Sequence, residues 1–406
     1  MSSIPRHTTR RLLRVHCDAF LAFHRVLSFA GISIFAKQNW DSNRWLGYQI
    51  FNFIIGVLCF IFTTGFVVTN VSDFLLCIQG ACIWTTGVIM TITLGVCLVF
   101  RNEFRFFLEE MAFRDHMLEM PLIDHIMLVS PRGAKIEELR NLVTGSQEKL
   151  FKYVTILLKS YVASVFLCAT LYLCSPVYGM LVREDQSLRL LAFDMWFPWS
   201  LEDYTVYIIS FIFHAYAGYL CCIAYPGLQC IIILLLGQLI RQTRILTFIL
   251  LHMNELVLEV TAVQDERFSN RLNVICRPFY LTLILVAIML VCMCSVKIAV
   301  SNKLSLDTFK YYIHEFCFIL VVLMFCLIGQ QVENECEALE RAVTEKWYIF
   351  NHNHKSNIRI FKMALGQRMP IYIFGTITLS LPTFTWFIKT GMSFFTLVMS
   401  VLEEET

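Results

Sequence analysis

The sequence has little charge and none of the short motifs that mark common active sites. Only 16% of its 406 residues are Asp, Glu, Lys or Arg, whereas soluble globular domains carry about 25%. It contains no glycine-rich nucleotide loop, no HExxH motif and no nucleophile elbow, the patterns that identify phosphate-binding, zinc-dependent and serine-based chemistry. We therefore expect a protein that is not an enzyme, with no catalytic residue and no cofactor.

Cysteine is abundant, but not in an arrangement that binds metal. The chain has 16 cysteines, most of them inside apolar runs, and no CxxC pair lies in a polar loop at zinc-ligand spacing. Because buried cysteine behaves as a small hydrophobic residue, we interpret these cysteines as packing residues and predict no metal site. Residues 1–44 show no signal-peptide core followed by a cleavage site, so the first apolar span is expected to act as its own insertion signal.

Long apolar runs take the place of the missing charge. Hydrophobic residues make up 57% of the chain and the mean hydropathy is +0.64. A membrane-spanning helix needs about 20 mostly apolar residues. The runs therefore predict an all-α membrane protein embedded in the lipid bilayer, with no nucleic-acid partner. Seven of them are long enough to be transmembrane helices: 45–68, 74–100, 153–182, 204–237, 279–300, 313–332 and 383–402.

Two of these runs carry features that bear on their shape. The fourth is too long for one crossing, so its helix must either project beyond the membrane or bend around Pro226. Pro382 is expected to break or kink the entry to the seventh run. After the sixth run, Val332, Cys336 and Leu339 lie at helical spacing and predict an amphipathic helix.

Lysine and arginine are divided unevenly between the two sets of connecting segments. One set carries 26 of these residues and the other carries 5. Cytoplasmic segments are enriched in Lys and Arg, so the N-terminus is predicted to be cytoplasmic and the C-terminus extracellular. This orientation is opposite to that of a G-protein-coupled receptor. The basic set is 1–44, 101–152, 239–278 and 331–382; the other is 69–73, 183–203, 297–313 and the tail after 402.

The polar residues of the seventh span lie on one helical face. Lys389, Ser393, Thr396 and Ser400 are spaced at i, i+4, i+7 and i+11. A polar stripe on a spanning helix should face protein or water rather than acyl chains. Two readings stay open: a packing surface, since small residues let helices approach closely, or the wall of an aqueous pore.

Three stretches resemble the insect odorant receptor family. They are LAFDMWFPWS at 191–200, the region from QQVENECEALERAVTEKWY to FKMALGQRMPIYI at 330–373, and LSLPTFTWFIKTGMSFFTLV at 379–398. The last is the most specific, and the resemblance extends over the chain in order and length. The chain lacks the extra length that the family's coreceptor has between spans 4 and 5, so it resembles a tuning, odorant-binding subunit.

The resemblance implies an odorant-gated, non-selective cation channel in the plasma membrane of a sensory neuron. Such a channel is a heterotetramer of tuning and coreceptor subunits around one pore, to which each subunit contributes span 7. Matching the SFFTLV stretch implies a gate at Leu397, Ser400 and Val401. Four segments are then expected: a cytoplasmic or interfacial segment (1–44), transmembrane helices 1–6 with the odorant pocket in their outer half (45–332), a cytoplasmic anchor (333–382), and the pore helix with its extracellular tail (383–406).

The resemblance also implies a pocket for a small volatile odorant between spans 2, 3, 4 and 6. His214 stands out there, because an ionisable group within an apolar span is energetically costly and usually has a function. It could donate to an ester or aldehyde oxygen, or bond a neighbouring tyrosine or carbonyl group. The expected pocket residues are Trp84, Val88, Val165, Cys168, Tyr172, Ile208, Phe211, Ile212, His214 and Tyr312.

Two other functions compete with this one. A gustatory receptor of the same superfamily would carry a C-terminal TYxxxxxQF signature, which the chain lacks. A seven-span receptor or transporter that forms no channel is the other alternative, although the inverted repeats of many transporters are not visible here.

Overall fold

The structure is a computed structural model, and within it seven long helices and one short hairpin are described. It describes residues 21, 23–29, 31, 39–104, 106, 134–182, 191–252, 266–300, 306–345, 372–374 and 377–405. Most of the predicted segment 1–44, and residues 346–371 of the predicted anchor, lie outside these ranges. The elements are α1 (Asn39–Thr69), α2 (Phe74–Val99), α3 (Ala134–Val182), α4 (Tyr204–Leu251), α5 (Glu266–Val300), α6 (Leu306–Glu345), the antiparallel strands β1 (Tyr372–Phe374) and β2 (Ile377–Thr378), and α7 (Leu381–Glu405).

All seven predicted spans are confirmed as helices that are long and apolar enough to cross a membrane. Two of them begin where an aspartate caps the first turn. Asp73 accepts the N–H of Leu76 at 3.1 Å, and Asp203 accepts the N–H of Thr205 at 3.0 Å. These side chains satisfy backbone donors that the first turn leaves unpaired.

The longest extensions beyond the predicted spans, in α3, α4, α5 and α6, lie at the same end of the bundle. The 48 residues of α4 correspond to about 72 Å, more than twice the roughly 30 Å of a hydrocarbon core. The helix continues past Pro226, so it projects beyond the membrane, the first of the two predicted alternatives. In α6, the predicted amphipathic helix is the continuation of the sixth span, with Val332 and Leu339 buried. We call this the long-helix end, and the opposite end, with the 70–73 and 191–203 connections, the short-loop end.

The core is built around α4. Within the most apolar stretches of the two helices, 83% of α4 is buried but only 11% of α7. A helix that is apolar all round belongs inside a bundle, and the run 228–236 of α4 is buried almost throughout. Phe23 and Leu27, which precede α1, are also buried in this core. The described part of the N-terminal segment, 23–29, therefore packs into the bundle.

Helix α7 packs on α5 and α6. The chain just before its first residue lies very close to Gly329 of α6, and we call this contact the tight seat of α7. A Cβ atom on Gly329 of α6 would lie 2.1 Å from the carbonyl oxygen of Leu379, so only glycine permits this approach. The N–H of Leu381 donates to Oε1 of Gln330 at 3.4 Å. Pro382 falls in the first turn of α7, where no intrahelical N–H is needed, so the helix begins one residue before the proline that was expected to break or kink its entry.

Candidate functional site

A buried aromatic cluster near the short-loop end joins four helices and a loop. Tyr172 of α3 stacks on Phe193 of the loop with ring centroids 5.6 Å apart, and Phe193 lies 5.6 Å from the ring of His214 in α4. On the other side, Tyr172 meets His314 of α6 edge-on at 6.2 Å. We call this group the Tyr172 cluster; its members are Ile83, Cys168, Tyr172, Phe193, His214, Tyr311 and His314.

The described part of the loop between α3 and α4, residues 191–203, reaches into the bundle. Phe193, Met195 and Phe197 face inward at alternate positions, while Trp196 is exposed. Phe193 packs on Tyr172, while Phe197 stacks on His214 with centroids 5.5 Å apart. The backbone N–H of Trp196 donates to the carbonyl of Phe62 at 2.9 Å, which ties the loop to α1. The loop therefore closes the short-loop end over the cluster.

Three buried polar atoms in the cluster have no hydrogen-bond partner among the described residues. They are the hydroxyl of Tyr172, Nε2 of His214 and Nδ1 of His314. Nδ1 of His214 accepts the N–H of Phe193 at 3.3 Å, so in the neutral ring the proton lies on Nε2. An unpaired buried polar group costs about 1–3 kcal/mol. The cluster thus presents an unsatisfied N–H donor in apolar surroundings, which suits a small ligand with one acceptor oxygen.

The structure brings together three of the predicted pocket residues, Cys168, Tyr172 and His214. Val165 lies one turn from Cys168, half-buried, and its carbonyl accepts the Cys222 thiol at 3.3 Å. Phe211 and Val88 are half-buried outside the cluster.

The other predicted pocket residues lie elsewhere. The indole of Trp84 is turned toward α1, where its Nε1 donates to Thr64 at 2.9 Å. Ile208, Ile212 and Tyr312 are on the outer surface of the bundle, 38%, 61% and 44% exposed. Ligand binding by these four residues stays a prediction, without support from burial in the cluster.

Sequence reasoning missed four members of the cluster: Ile83, Phe193, Tyr311 and His314. Ile83 and Tyr311 each precede a residue that was chosen instead, so the helical phase was off by one position. Tyr311 and His314 are spaced i, i+3, which places them on one face. That spacing, and the alternation of apolar residues in the loop, were the available signals.

The polar stripe of α7 lies on its uncovered side. Lys389, Ser393, Thr396 and Ser400 are all exposed in the single chain, whereas Phe387 and Gly391 are buried. The hydroxyls bond within their own helix; that of Ser400 donates to the carbonyl of Leu397 at 2.8 Å. The stripe is therefore one continuous face turned away from α5 and α6. Leu397 and Val401 share it, at 59% and 39% exposed.

The seven apolar helices define a multi-pass membrane protein, with a buried aromatic cluster near one end. The family model described as 7tm Odorant receptor matches residues 121–392. Since this match covers well over half of the chain, the protein belongs to the odorant receptor family, which confirms the resemblance seen in the sequence. No curated protein sequence matches the chain significantly.

Solved structures with the same fold come from the insect Machilis hrabei. The olfactory receptor OR5 in complex with eugenol aligns with a TM-score of 0.77 at 12% identity, covering 97% of this chain and 99% of that one. The structure described without eugenol aligns with a TM-score of 0.75 at 11% identity, with the same coverage. This likeness establishes the fold, and with the family match it confirms the predicted seven-helix membrane architecture.

Proposed function

We propose that this chain is the odorant-binding subunit of an odorant-gated, non-selective cation channel. In this proposal it assembles with coreceptor subunits into a heterotetramer in the plasma membrane of a sensory neuron. The long-helix end faces the cytoplasm, as the distribution of Lys and Arg predicts. The observation that carries the proposal is the uncovered face of α7. A lysine and three hydroxyl residues on a spanning helix should not face lipid, and nothing in the described chain covers them.

The proposed gate lies where apolar and hydroxyl side chains alternate on that face. Leu397 and Val401 are one turn apart, with Ser400 beside them, and all three are exposed in the single chain. A ring of apolar side chains stops ions because water leaves the constriction. Rotation or outward movement of α7 would widen the ring and bring Ser400 toward the axis.

The proposed odorant site is the Tyr172 cluster. A small, mostly apolar ligand would pack against Tyr172, Cys168 and Phe193, and its acceptor oxygen would take the hydrogen bond that Nε2 of His214 offers. The solved complex of the Machilis hrabei receptor with eugenol supports a small-molecule ligand for this fold. We keep the remaining predicted pocket residues as proposed outer contacts.

Helix α6 gives a route from this site to the gate. Tyr311 and His314 of α6 belong to the cluster, and the adjacent Glu315 accepts the hydroxyl of Ser295 of α5 at 2.5 Å. Both α5 and α6 pack on α7. The ligand opens the gate only if it binds the open arrangement more tightly than the closed one, since equal affinity shifts no population.

Patch recording after coexpression with a coreceptor tests the proposal. Odorant should evoke cation current in excised patches without soluble nucleotides. Leu397→Ser should raise the current without odorant, whereas Val398→Ser, one position around the helix, should not. Absence of odorant-evoked current in patches that contain the assembled receptor would favour a non-channel receptor or transporter. Activation by non-volatile tastants alone would favour a gustatory receptor.

A further inference from the structure

A cationic recess lies at the membrane boundary near the long-helix end, far from the Tyr172 cluster. Two cavities meet at Arg25, one of about 650 Å³ and one of about 570 Å³. The first also contains Arg44, Trp45 and Tyr48, and the second contains Lys159. Three basic side chains and two amphipathic aromatic rings are thus gathered at one place.

The depth of this recess follows from helix geometry. Lys159 lies 23 residues before Val182, the last residue of α3, a distance of about 35 Å. Gly227 lies 23 residues after Tyr204, the first residue of α4, and a Cβ atom there would meet Val26 and Leu27. Arg25 and Lys159 therefore share a level just beyond the roughly 30 Å hydrocarbon core. Trp and Tyr are enriched at this boundary.

The second cavity continues from the basic residues as an apolar groove along α3. Its walls include Val162, Ala163, Phe166 and Leu167, and it reaches Thr170, about 17 Å from Lys159 along the helix. Phe166 is held by stacking on Tyr219 of α4, with ring centroids 4.5 Å apart. Ala163 and Leu167 are exposed, so the groove opens sideways toward the acyl chains of the bilayer.

Two of the three basic residues, Arg25 and Lys159, lack an acidic partner among the described residues, and Arg25 is fixed by its own segment. Phe23 and Leu27 are buried in the core, which fixes the helical segment 23–29 and presents Arg25 on its outer side. Among the residues that the structure describes, neither Arg25 nor Lys159 forms an ion pair. Two cations that line one cavity repel each other unless an anion lies between them.

We propose that this recess binds one anionic phospholipid of the leaflet at the long-helix end. The headgroup phosphate would contact Arg25 and Lys159, since guanidinium groups bind phosphate oxygens in pairs. One acyl chain would lie in the groove along α3. Basic pockets between transmembrane helices on the cytoplasmic side bind anionic headgroups, which fits the orientation proposed above. A free phosphate would use the cations but would leave the groove empty.

Native mass spectrometry of the full-length receptor purified in detergent tests this site. The probe is phosphatidylserine, with phosphatidylcholine and inorganic phosphate as comparisons. The double variant Arg25→Gln, Lys159→Gln should weaken phosphatidylserine retention at least about tenfold, because each lost charged hydrogen bond costs more than 1.4 kcal/mol. The double variant Lys149→Gln, Lys152→Gln removes the same charge from exposed sites on α3 outside both cavities and should retain the lipid.

A groove-filling variant separates a lipid site from a simple anion site. Ala163→Trp should reduce phosphatidylserine retention while leaving the basic residues intact. Equal retention by the two charge variants would overturn the proposal, as would equal retention of phosphatidylserine and phosphatidylcholine by the wild type. Displacement of the lipid by millimolar phosphate, with no effect of Ala163→Trp, would identify an anion site instead. If Ala163→Trp does not fold, comparison of the two charge variants decides.

Discussion

Replacing Gly329 with alanine should disturb the start of α7. The new Cβ atom would lie 2.1 Å from the carbonyl oxygen of Leu379 and 2.9 Å from its carbonyl carbon. Real Cβ contacts are essentially never below 3.0 Å, so the two backbones must separate by about 0.9 Å or more. Because both neighbours are main chain, no side-chain rotation relieves the clash.

The expected loss of folding free energy has two sources, backbone strain and weakened hydrogen bonds. Overpacking of this kind destabilises by about 1–3 kcal/mol. Separation would also stretch the bond from the Leu381 N–H to Gln330, now 3.4 Å, and strain the 2.6 Å bond from the Thr383 hydroxyl to the Thr378 carbonyl. Each neutral bond contributes about 1 kcal/mol. We therefore expect a lower melting temperature and, because α7 carries the proposed gate, an altered current in the absence of odorant.

Gly145→Ala provides the matched control. Gly145 is also helical, but a Cβ atom there meets nothing within 4 Å, so alanine should stabilise α3 by about 0.5–1 kcal/mol. Melting curves of the purified variants and current recordings with the coreceptor give the comparison. If Gly329→Ala melts and conducts like Gly145→Ala, the tight seat of α7 on α6 is not what holds the helix.

Two further predictions concern the short-loop end. His214→Phe should raise the half-maximal concentration of odorants that carry an acceptor oxygen about tenfold, because one buried hydrogen bond is lost. The response to hydrocarbon odorants should not change. An unchanged dose response at normal surface expression would rule out the ligand role. Gln79→Leu should lower the melting temperature, because the Gln79 amide donates to Asp194 of the loop at 2.9 Å and accepts from Lys297 of α5 at 2.7 Å; a thermal melt equal to that of the exposed-site variant Lys152→Gln would refute this.

The sequence predicted the spans well and the faces of most of them poorly, for one physical reason. A span is recognised by the length of its apolar run, which both the lipid and the protein core require. Its inward face is recognised by the difference in polarity between its two sides, and in a bilayer the outer side is as apolar as the core. On α6, Tyr311 is buried while Tyr312 is exposed, and two neighbouring tyrosines offer no difference in polarity by which to choose between them. Helix α7 carries such a contrast in its polar stripe, and the structure shows the stripe as one face that is exposed in the single chain; its role stays a prediction.

The positions of the helix ends were predicted less well than the spans themselves. Outside the membrane, α3 and α4 continue with charged residues, so a criterion based on apolar runs stops too early. Arg244 of α4 pairs with Glu335 of α6 in this region, which links two extensions whose positions the spans alone do not give. By contrast, Gly329 and Gln330, which contact the chain that leads into α7, lie within the predicted sixth span.

Helix α6 therefore contacts both proposed working parts of the molecule. Near its start, Tyr311 and His314 complete the Tyr172 cluster; Gly329, 15 residues after His314 and about 22 Å along the axis, seats the start of α7. A rigid helix that is held at both points moves as a unit, so a ligand that displaces the ring of His314 shifts the seat of α7 as well. Under the proposed function, the mechanical coupling then lies in a single element, and for this reason Gly329→Ala, remote from the proposed odorant site, should alter gating.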